Sequence, residues 1–252
     1  MDSLVQNIES LTVLKCHGLT NLVSSTTVLS SSLTRLKVED CPSLKYLISS
    51  STVKSLVNLQ ELYISNCEAL ESVVAYQPHD IDDVITFQGL KKLSLSKIPK
   101  LESFYTPNST LNFPYLEEVM VTECNRLEYL FSFSTAKSLK YLSTMKVSEC
   151  ESLETVVVAT READELHEGL KLFSCLRWLN LHNLPKLGSF FTGNSTLELD
   201  ICEVSINQCK SMKTFSHNYF NAENVYIDGA PCSNDLNAAV SQQFDNRMKK
   251  HH

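Results

Sequence analysis

Cysteine is the residue type whose number and spacing first suggest chemistry in this chain of 252 residues, which contains nine of them. No Cys-x-x-Cys pair occurs, and Cys202 and Cys209 stand seven residues apart without a paired-histidine motif, so the sequence does not predict a zinc site. Six cysteines instead recur at one position of a regular pattern. These are Cys16, Cys41, Cys67, Cys124, Cys150 and Cys209.

Other copies of that pattern carry Ile98, Leu184 and Ala230 where the six copies carry cysteine. A buried cysteine packs as a small apolar side chain with a weak S–H donor, and the exchange with aliphatic residues favours that role. We therefore predict packing for this column, with redox chemistry or metal binding as the alternative.

Two further motifs are polar. Asn108 and Asn194 each begin an Asn-Ser-Thr glycosylation sequence, and both are expected to stay unmodified because the chain starts without a secretory signal. The acidic segment at residues 79–83 lacks the glycine turn and terminal glutamate of a calcium loop, which favours a solvated loop. Two polar insertions, residues 75–87 and 160–172, are predicted to be either adjustable contact loops or solvated loops.

Catalytic motifs are missing from the sequence. It contains no Gly-x-Ser-x-Gly, no His-Glu-x-x-His and no P-loop, so we predict neither an enzyme nor a cofactor. The net charge of −7 argues against nucleic-acid binding, which depends on Lys and Arg neutralising phosphates. No apolar run reaches 18 residues, and we expect a protein of the cytoplasm with no membrane contact.

The elements that must position these residues follow from an internal repeat. The template L-x-x-L-x-V-x-x-C-x-x-L-x-x-L occurs nine times, and most copies follow the previous one by 25 or 26 residues. That spacing is typical of leucine-rich repeats, whose period is roughly 20–29 residues.

Within each copy, alternation predicts a strand with two apolar side chains pointing inward and three side chains facing solvent. Stacked copies satisfy each other's backbone groups and share one apolar core. We predict an α/β leucine-rich-repeat solenoid over residues 1–232, with a parallel sheet on the concave face and irregular or short helical segments on the convex side. Residues 233–252 form either an amphipathic cap helix, with Leu236, Val240 and Phe244 on one face, or a disordered tail.

Solvent-facing strand positions are the candidate binding site. Trp178 is the only tryptophan and falls on an outward position, where such residues often dominate protein interfaces. Its alternative arrangement is a ring folded sideways over its neighbours. The predicted protein-binding residues of the concave face are Tyr63, Met120, Lys146, Trp178 and His182.

The template, together with the segments IPKLESF at 98–104, LPKLGSF at 184–190 and FPYLEEV at 113–119, resembles the leucine-rich repeats of plant intracellular immune receptors of the coiled-coil nucleotide-binding class. The resemblance covers about residues 8–230. It implies a non-catalytic sensor that recognises a pathogen or pest effector, or a host protein, and restrains the upstream nucleotide-binding domain of the same receptor. A stand-alone scaffold and a substrate-receptor module of a ubiquitin ligase are the alternatives.

The first copy has little sequence before it to cover Ile8, Leu11 and Val13. Because repeat stacks need polar end caps, we expect the natural chain to continue upstream or this end to pack on a partner.

Overall fold

A computed structural model of the chain describes residues 8–22, 31–75, 84–105, 110–159, 172–193, 201–216 and 222–249. Within these ranges there are seventeen strands, β1–β17, and three helices, α1–α3, numbered in chain order. The chain divides into two compact units, Met1–Arg126 and Leu127–His252.

In the first unit, one strand from each repeat joins a parallel sheet. Neighbouring strands pair without a register shift, as Leu36 pairs with Leu62 and Leu62 with Leu93. The strands, in spatial order, are β1 (Ser10–Leu14), β2 (Arg35–Glu39), β4 (Glu61–Ser65), β7 (Lys92–Ser96) and β9 (Glu118–Thr122).

Short elements connect these strands on the other side of the first unit. They are the parallel pair β3 (Tyr46–Ser49) and β5 (Ser72–Ala75), the parallel pair β6 (Val84–Thr86) and β8 (Thr110–Asn112), and the helix α1 (Ser50–Ser55). The hydroxyl of Ser49 caps α1 by accepting a hydrogen bond from the Thr52 amide at 3.2 Å, which explains why the helix begins at the serine cluster.

The second unit repeats this plan. Its parallel strands are β11 (Thr144–Ser148), β13 (Trp178–His182), β15 (Ile201–Asn207) and β16 (Ala222–Ile227). Its other side carries β10 (Tyr129–Ser132), β12 (Thr155–Val158), β14 (Ser189–Phe191) and the helix α2 (Phe133–Ala136).

The ninth copy of the template departs from the prediction at its end. Ala230 is exposed and belongs to a short antiparallel strand, β17 (Ala230–Pro231), which pairs back on β16. The cause is the Asp228-Gly229 pair, since both residues adopt positive φ and close a two-residue hairpin turn. Ala230 is therefore not a core residue of the cysteine column.

Helix α3 (Leu236–Lys249) follows the last strand. It buries Leu236, Ala239 and Val240 almost completely, while Phe244 stays partly exposed. The side chain of Asp235 accepts hydrogen bonds from the amides of Asn237 and Ala238 at the helix start. The domain boundary proposed at residue 232 stays a prediction.

The predicted fold class is confirmed: each unit contributes one parallel strand per repeat, with short helices elsewhere, as in α/β leucine-rich repeats. Alternation is confirmed at the level of single side chains, because Leu36 and Val38 of β2 are fully buried between neighbours that are exposed or partly exposed. None of the helices in the described ranges has both the length and the apolar character needed to cross a bilayer.

The cysteine column packs in the core of each unit. Its members from the second repeat to the eighth have no exposed surface: Cys41, Cys67, Ile98 and Cys124 in the first unit, and Cys150, Leu184 and Cys209 in the second. The buried thiols also donate weak hydrogen bonds to the carbonyl two residues earlier, as Cys67 Sγ does to Ser65 O at 3.3 Å. Cys16 is the exception, because it is exposed at the first repeat.

Burial raises the pKa of the Cys67 and Cys209 thiols to about 11. The folded chain therefore keeps two protons that the unfolded chain releases near pH 9. The stability that depends on these protons is complete below about pH 9 and is lost as the pH rises through about 11.

We expect the urea midpoint of unfolding to fall between pH 9 and 11 and this decline to flatten in the Cys67→Ala/Cys209→Ala variant. Cys175→Ala, which removes a partly exposed thiol, is the control, and its urea midpoint should decline with pH as steeply as that of the wild type. Equal slopes in the wild type and the double variant would show that the two thiols do not carry the effect.

A residue with left-handed backbone follows directly after each of the parallel strands β1, β2, β4, β7, β9, β11, β13, β15 and β16. The φ angles lie between 47° and 57°, at Lys15, Asp40, Asn66, Lys97 and Glu123 in the first unit and at Glu149, Asn183, Gln208 and Asp228 in the second. This conformation costs a non-glycine residue about 1 kcal/mol. A backbone hydrogen bond to the next strand offsets the cost, as from Asp40 N to Ser65 O at 3.1 Å. From Asp40 to Gln208, the turn directs the following column residue into the core.

Candidate functional site

The outward face of the parallel strands in each unit presents three side chains per strand, at the first, third and fifth positions of the five-residue strands. The two positions between them are buried, so the backbone fixes which residues a partner can reach.

In the first unit, charged side chains on this face pair with one another. Arg35 Nε donates to Glu61 Oε2 at 2.5 Å, and the hydrogen bond from Arg35 is the main cause that lowers the pKa of Glu61. On the next strands, Lys92 Nζ lies 3.7 Å from Glu118 Oε2. The pairs leave this part of the face with little uncompensated charge.

Tyr63 and Met120 are the two predicted binding residues in the first unit. They occupy the middle positions of β4 and β9, and Ser94 of β7 lies in register between them. Both are partly buried, and the Tyr63 hydroxyl donates to Glu61 Oε2 at 3.4 Å. Burial, and next the nearby Glu61 carboxylate, raise the pKa of Tyr63. Tyr63 and Arg35 thus both donate to the Glu61 carboxylate.

In the second unit, Trp178 stands at the first outward position of β13, with 52% of its surface exposed. Its cross-strand neighbours are Thr144 on β11 and Glu203 on β15. Within the described ranges, the indole forms neither a ring contact nor a hydrogen bond through its N–H. An exposed tryptophan in this state presents a large apolar surface and a free donor to solvent.

Lys146 and His182 lie on the same face as Trp178. Lys146 of β11 is exposed and pairs in register with Asn180, which lies between Trp178 and His182 on β13. His182 Nε2 is 3.5 Å from Glu149 Oε1. No salt bridge holds Lys146 among the residues that the structure describes.

The five predicted binding residues therefore fall in two groups. Tyr63 and Met120 share the face of the first unit, whereas Lys146, Trp178 and His182 share two adjacent strands of the second. All five face outward, and their role in binding stays a prediction.

The repeat pattern did not predict the contacts at the edge where the parallel strands end. There, the side chains of the left-handed residues form their own contacts, such as the hydrogen bond from Asn66 Nδ2 to Asp40 Oδ1 at 2.8 Å and that from Asn183 to Glu149. The available signal was a polar residue directly before the column position in the first eight copies, whereas the ninth carries Gly229 there.

Pockets follow this edge in both units. One of about 590 Å³ in the first unit includes Asn125, whose buried Oδ1 has no hydrogen-bond partner in the described part of the chain. Another of about 670 Å³ in the second unit lies between the strand ends and α3.

Several predicted features lie outside the described residues. These are Asn108 and Asn194 of the glycosylation sequences, residues 76–83 of the first insertion with the acidic segment 79–83, and residues 160–171 of the second insertion. Among the described residues, no group of three or more His, Cys, Asp or Glu side chains is placed to hold a metal ion.

Comparison with known proteins supplies the family. The family model described as "Plant disease resistance protein RPS2-like, leucine-rich repeats" matches residues 25–151 and 138–219, which together cover more than three quarters of the chain. Searches against curated proteins and against solved structures find no match. With the repeat, its strands and this match in agreement, the chain belongs to the leucine-rich-repeat family of RPS2-like plant disease resistance proteins.

Proposed function

We propose that this chain is the protein-recognition domain of an intracellular plant disease resistance receptor and that it acts without catalysis. Its partner is a pathogen or pest effector, or a host protein that an effector modifies. The same repeats restrain the upstream nucleotide-binding domain of the receptor until the partner binds. The family supports the receptor over a stand-alone scaffold or a ubiquitin-ligase substrate receptor.

The observation that carries this proposal is the exposed indole of Trp178 on the outward face of β13. Residues of this type, together with Tyr and Arg, account for most of the binding energy at protein interfaces. At an interface, the indole would supply both its apolar area and its N–H donor.

The surroundings of Trp178 support a partner contact at this point. Lys146 and Asn180 form with Trp178 what we call the Trp178 patch, and all three are exposed. A lysine without an ion pair retains its charge for an acidic group of a partner. In the first unit the corresponding charges are already paired, as in Arg35 with Glu61. The Trp178 patch is therefore the part of the outward face best suited to bind.

Replacement of Trp178 tests the proposal. A partner is first identified by cross-linking the purified chain in extract from infected plant tissue, and its Kd is then measured with purified proteins. We expect Trp178→Ala to weaken binding about 30-fold, which corresponds to roughly 2 kcal/mol. Lys146→Glu should weaken the binding of an acidic partner and slow its association.

The matched control is Tyr141→Ala, because Tyr141 is 54% exposed in the second unit but precedes β11 instead of lying on the strand face. Its Kd should stay within threefold of wild type. Tyr63→Ala reports separately whether the first unit contributes. A Trp178→Ala chain that binds as tightly as wild type would exclude the Trp178 patch.

A further inference from the structure

The pocket of about 670 Å³ in the second unit has a chemistry that the outward face does not explain. Its first wall is the edge where β15 and β16 end. Lys210 and Asp228 line it from that edge. The left-handed turn at Gln208 buries Cys209 and leaves Lys210 exposed. The second wall is helix α3.

Helix α3 supplies both apolar and charged groups to the pocket. Phe244 and Met248 are four residues apart on the helix and so lie on the same face. Met248 is 48% exposed, which is unusual for a large apolar side chain. The volume lies within the range of about 300–1,000 Å³ that is typical of small-molecule sites.

The charges of the pocket favour an anion. Arg247 is fixed in place, because it donates to the Cys209 carbonyl at 3.0 Å and to Asp228 Oδ2 at 2.5 Å. The Arg247 guanidinium thereby compensates the charge of the Asp228 carboxylate. Burial acts to raise the pKa of Asp228, but hydrogen bonds from the Gln208 amide and from Arg247 lower it overall. The Lys210 charge contributes to lowering the pKa of Asp228, but the lysine forms no salt bridge within the described ranges, so its ammonium group is accessible to a ligand.

A cation would have to compete with Arg247 for Asp228, whereas an anion meets Lys210 and the Arg247 guanidinium without breaking a contact. An apolar body covers Phe244 and Met248 at the same time. We propose that this pocket binds a small molecule with one carboxylate and an apolar, ring-sized body. The lining includes His182 of the outward face but none of the three residues of the Trp178 patch, so the proposal does not depend on that patch.

The test uses the full chain and 4-phenylbutyrate as the probe, with binding followed by calorimetry and by ligand-observed NMR. We expect saturable binding in the millimolar range or tighter. The uncharged 4-phenylbutanamide and the cationic 4-phenylbutylamine should bind at least fivefold more weakly, and butyrate, which lacks the ring, should also bind at least fivefold more weakly.

Variants at exposed positions locate the site without disturbing the fold. Lys210→Glu and Met248→Glu each place a negative charge in the pocket, and each should weaken 4-phenylbutyrate binding at least fivefold. Lys186→Glu makes the same charge change at an exposed turn outside the pocket and should change the Kd by less than twofold. Trp178→Ala should leave the probe's Kd unchanged, which separates this result from the proposed function.

Two results would overturn the proposal. One is no saturable binding of 4-phenylbutyrate up to 10 mM, a ceiling roughly tenfold above the expected Kd. The other is binding that is equal for the carboxylate and the amine, or that neither Lys210→Glu nor Met248→Glu weakens.

Discussion

Gly89→Ala is expected to destabilise the protein by about 3 kcal/mol, at the upper end of what overpacking costs. A Cβ atom at this position would lie 2.6 Å from the carbonyl oxygen of Val57 and 3.2 Å from that of Leu59. Both contacts are backbone atoms of the preceding repeat, where Leu56 and Leu59 are almost fully buried. The neighbour cannot move aside by changing a rotamer, so two packed turns must separate.

The thermal midpoint should fall by about 10 °C in a chain of this size. Gly18→Ala is the matched control, since nothing lies within 4 Å of a Cβ built at Gly18. It should leave stability unchanged or slightly raised. If Gly89→Ala and Gly18→Ala unfold at the same temperature, the approach of the two turns is looser than the structure shows.

Asn237→Ala is expected to lower the free energy of unfolding by about 3 kcal/mol, because one side-chain oxygen accepts hydrogen bonds from three donors and all three would lose their acceptor. Asn237 Oδ1 accepts hydrogen bonds from Thr214 Oγ1 at 2.9 Å, from the Phe215 amide at 2.9 Å and from the Ser216 amide at 3.0 Å. Phe215 and Ser216 are buried, so water cannot replace the lost acceptor freely.

The Asn237 side chain caps the end of the repeat stack, because it accepts a backbone hydrogen bond that a following repeat would otherwise accept. Phe215 O already accepts from the Phe190 amide at 2.8 Å, whereas the Phe215 amide turns away from that repeat to Asn237. The Phe190 and Phe215 rings stack with centroids 4.7 Å apart, so the loss of Asn237 should also loosen this pair.

Urea unfolding and hydrogen exchange at the Phe215 and Ser216 amides measure the effect. Asn237→Asp keeps an acceptor and should retain most of the stability. Asn246→Ala makes the same change at an exposed position of the same helix and should alter stability by less than about 0.5 kcal/mol. If Asn237→Ala and Asn246→Ala have the same urea midpoint of unfolding, Asn237 does not cap the repeat stack.

The repeat predicted the fold because one strand per copy leaves few other arrangements. Two inward residues at a period of two fix which face each strand buries, and a period near 25 residues fixes the parallel stacking. The outward positions of Trp178 and Lys146 follow from the same rule. The alternation of side chains therefore sufficed to choose candidate binding residues.

What the pattern could not predict depends on backbone approach and on local turn chemistry. At the position of Gly89, other copies carry Asn58, Tyr115 and Tyr141, so the alignment of repeats alone suggests tolerance of a side chain. The hairpin at Asp228 and Gly229 was missed because apolar Ala230 fits the template by spacing. The pocket beside α3 needed the three-dimensional placement of Lys210 and Arg247, which are far apart in sequence.

The alternating charges of the first unit also restrict how the number of repeats can change during evolution. Arg35, Glu61, Lys92 and Glu118 follow one another across adjacent strands. Deleting one copy would set Arg35 beside Lys92, while deleting two would set it beside Glu118. Each exposed pair contributes only about 0.5 kcal/mol, yet unequal recombination that removes or adds two copies keeps opposite signs adjacent and single-copy events do not.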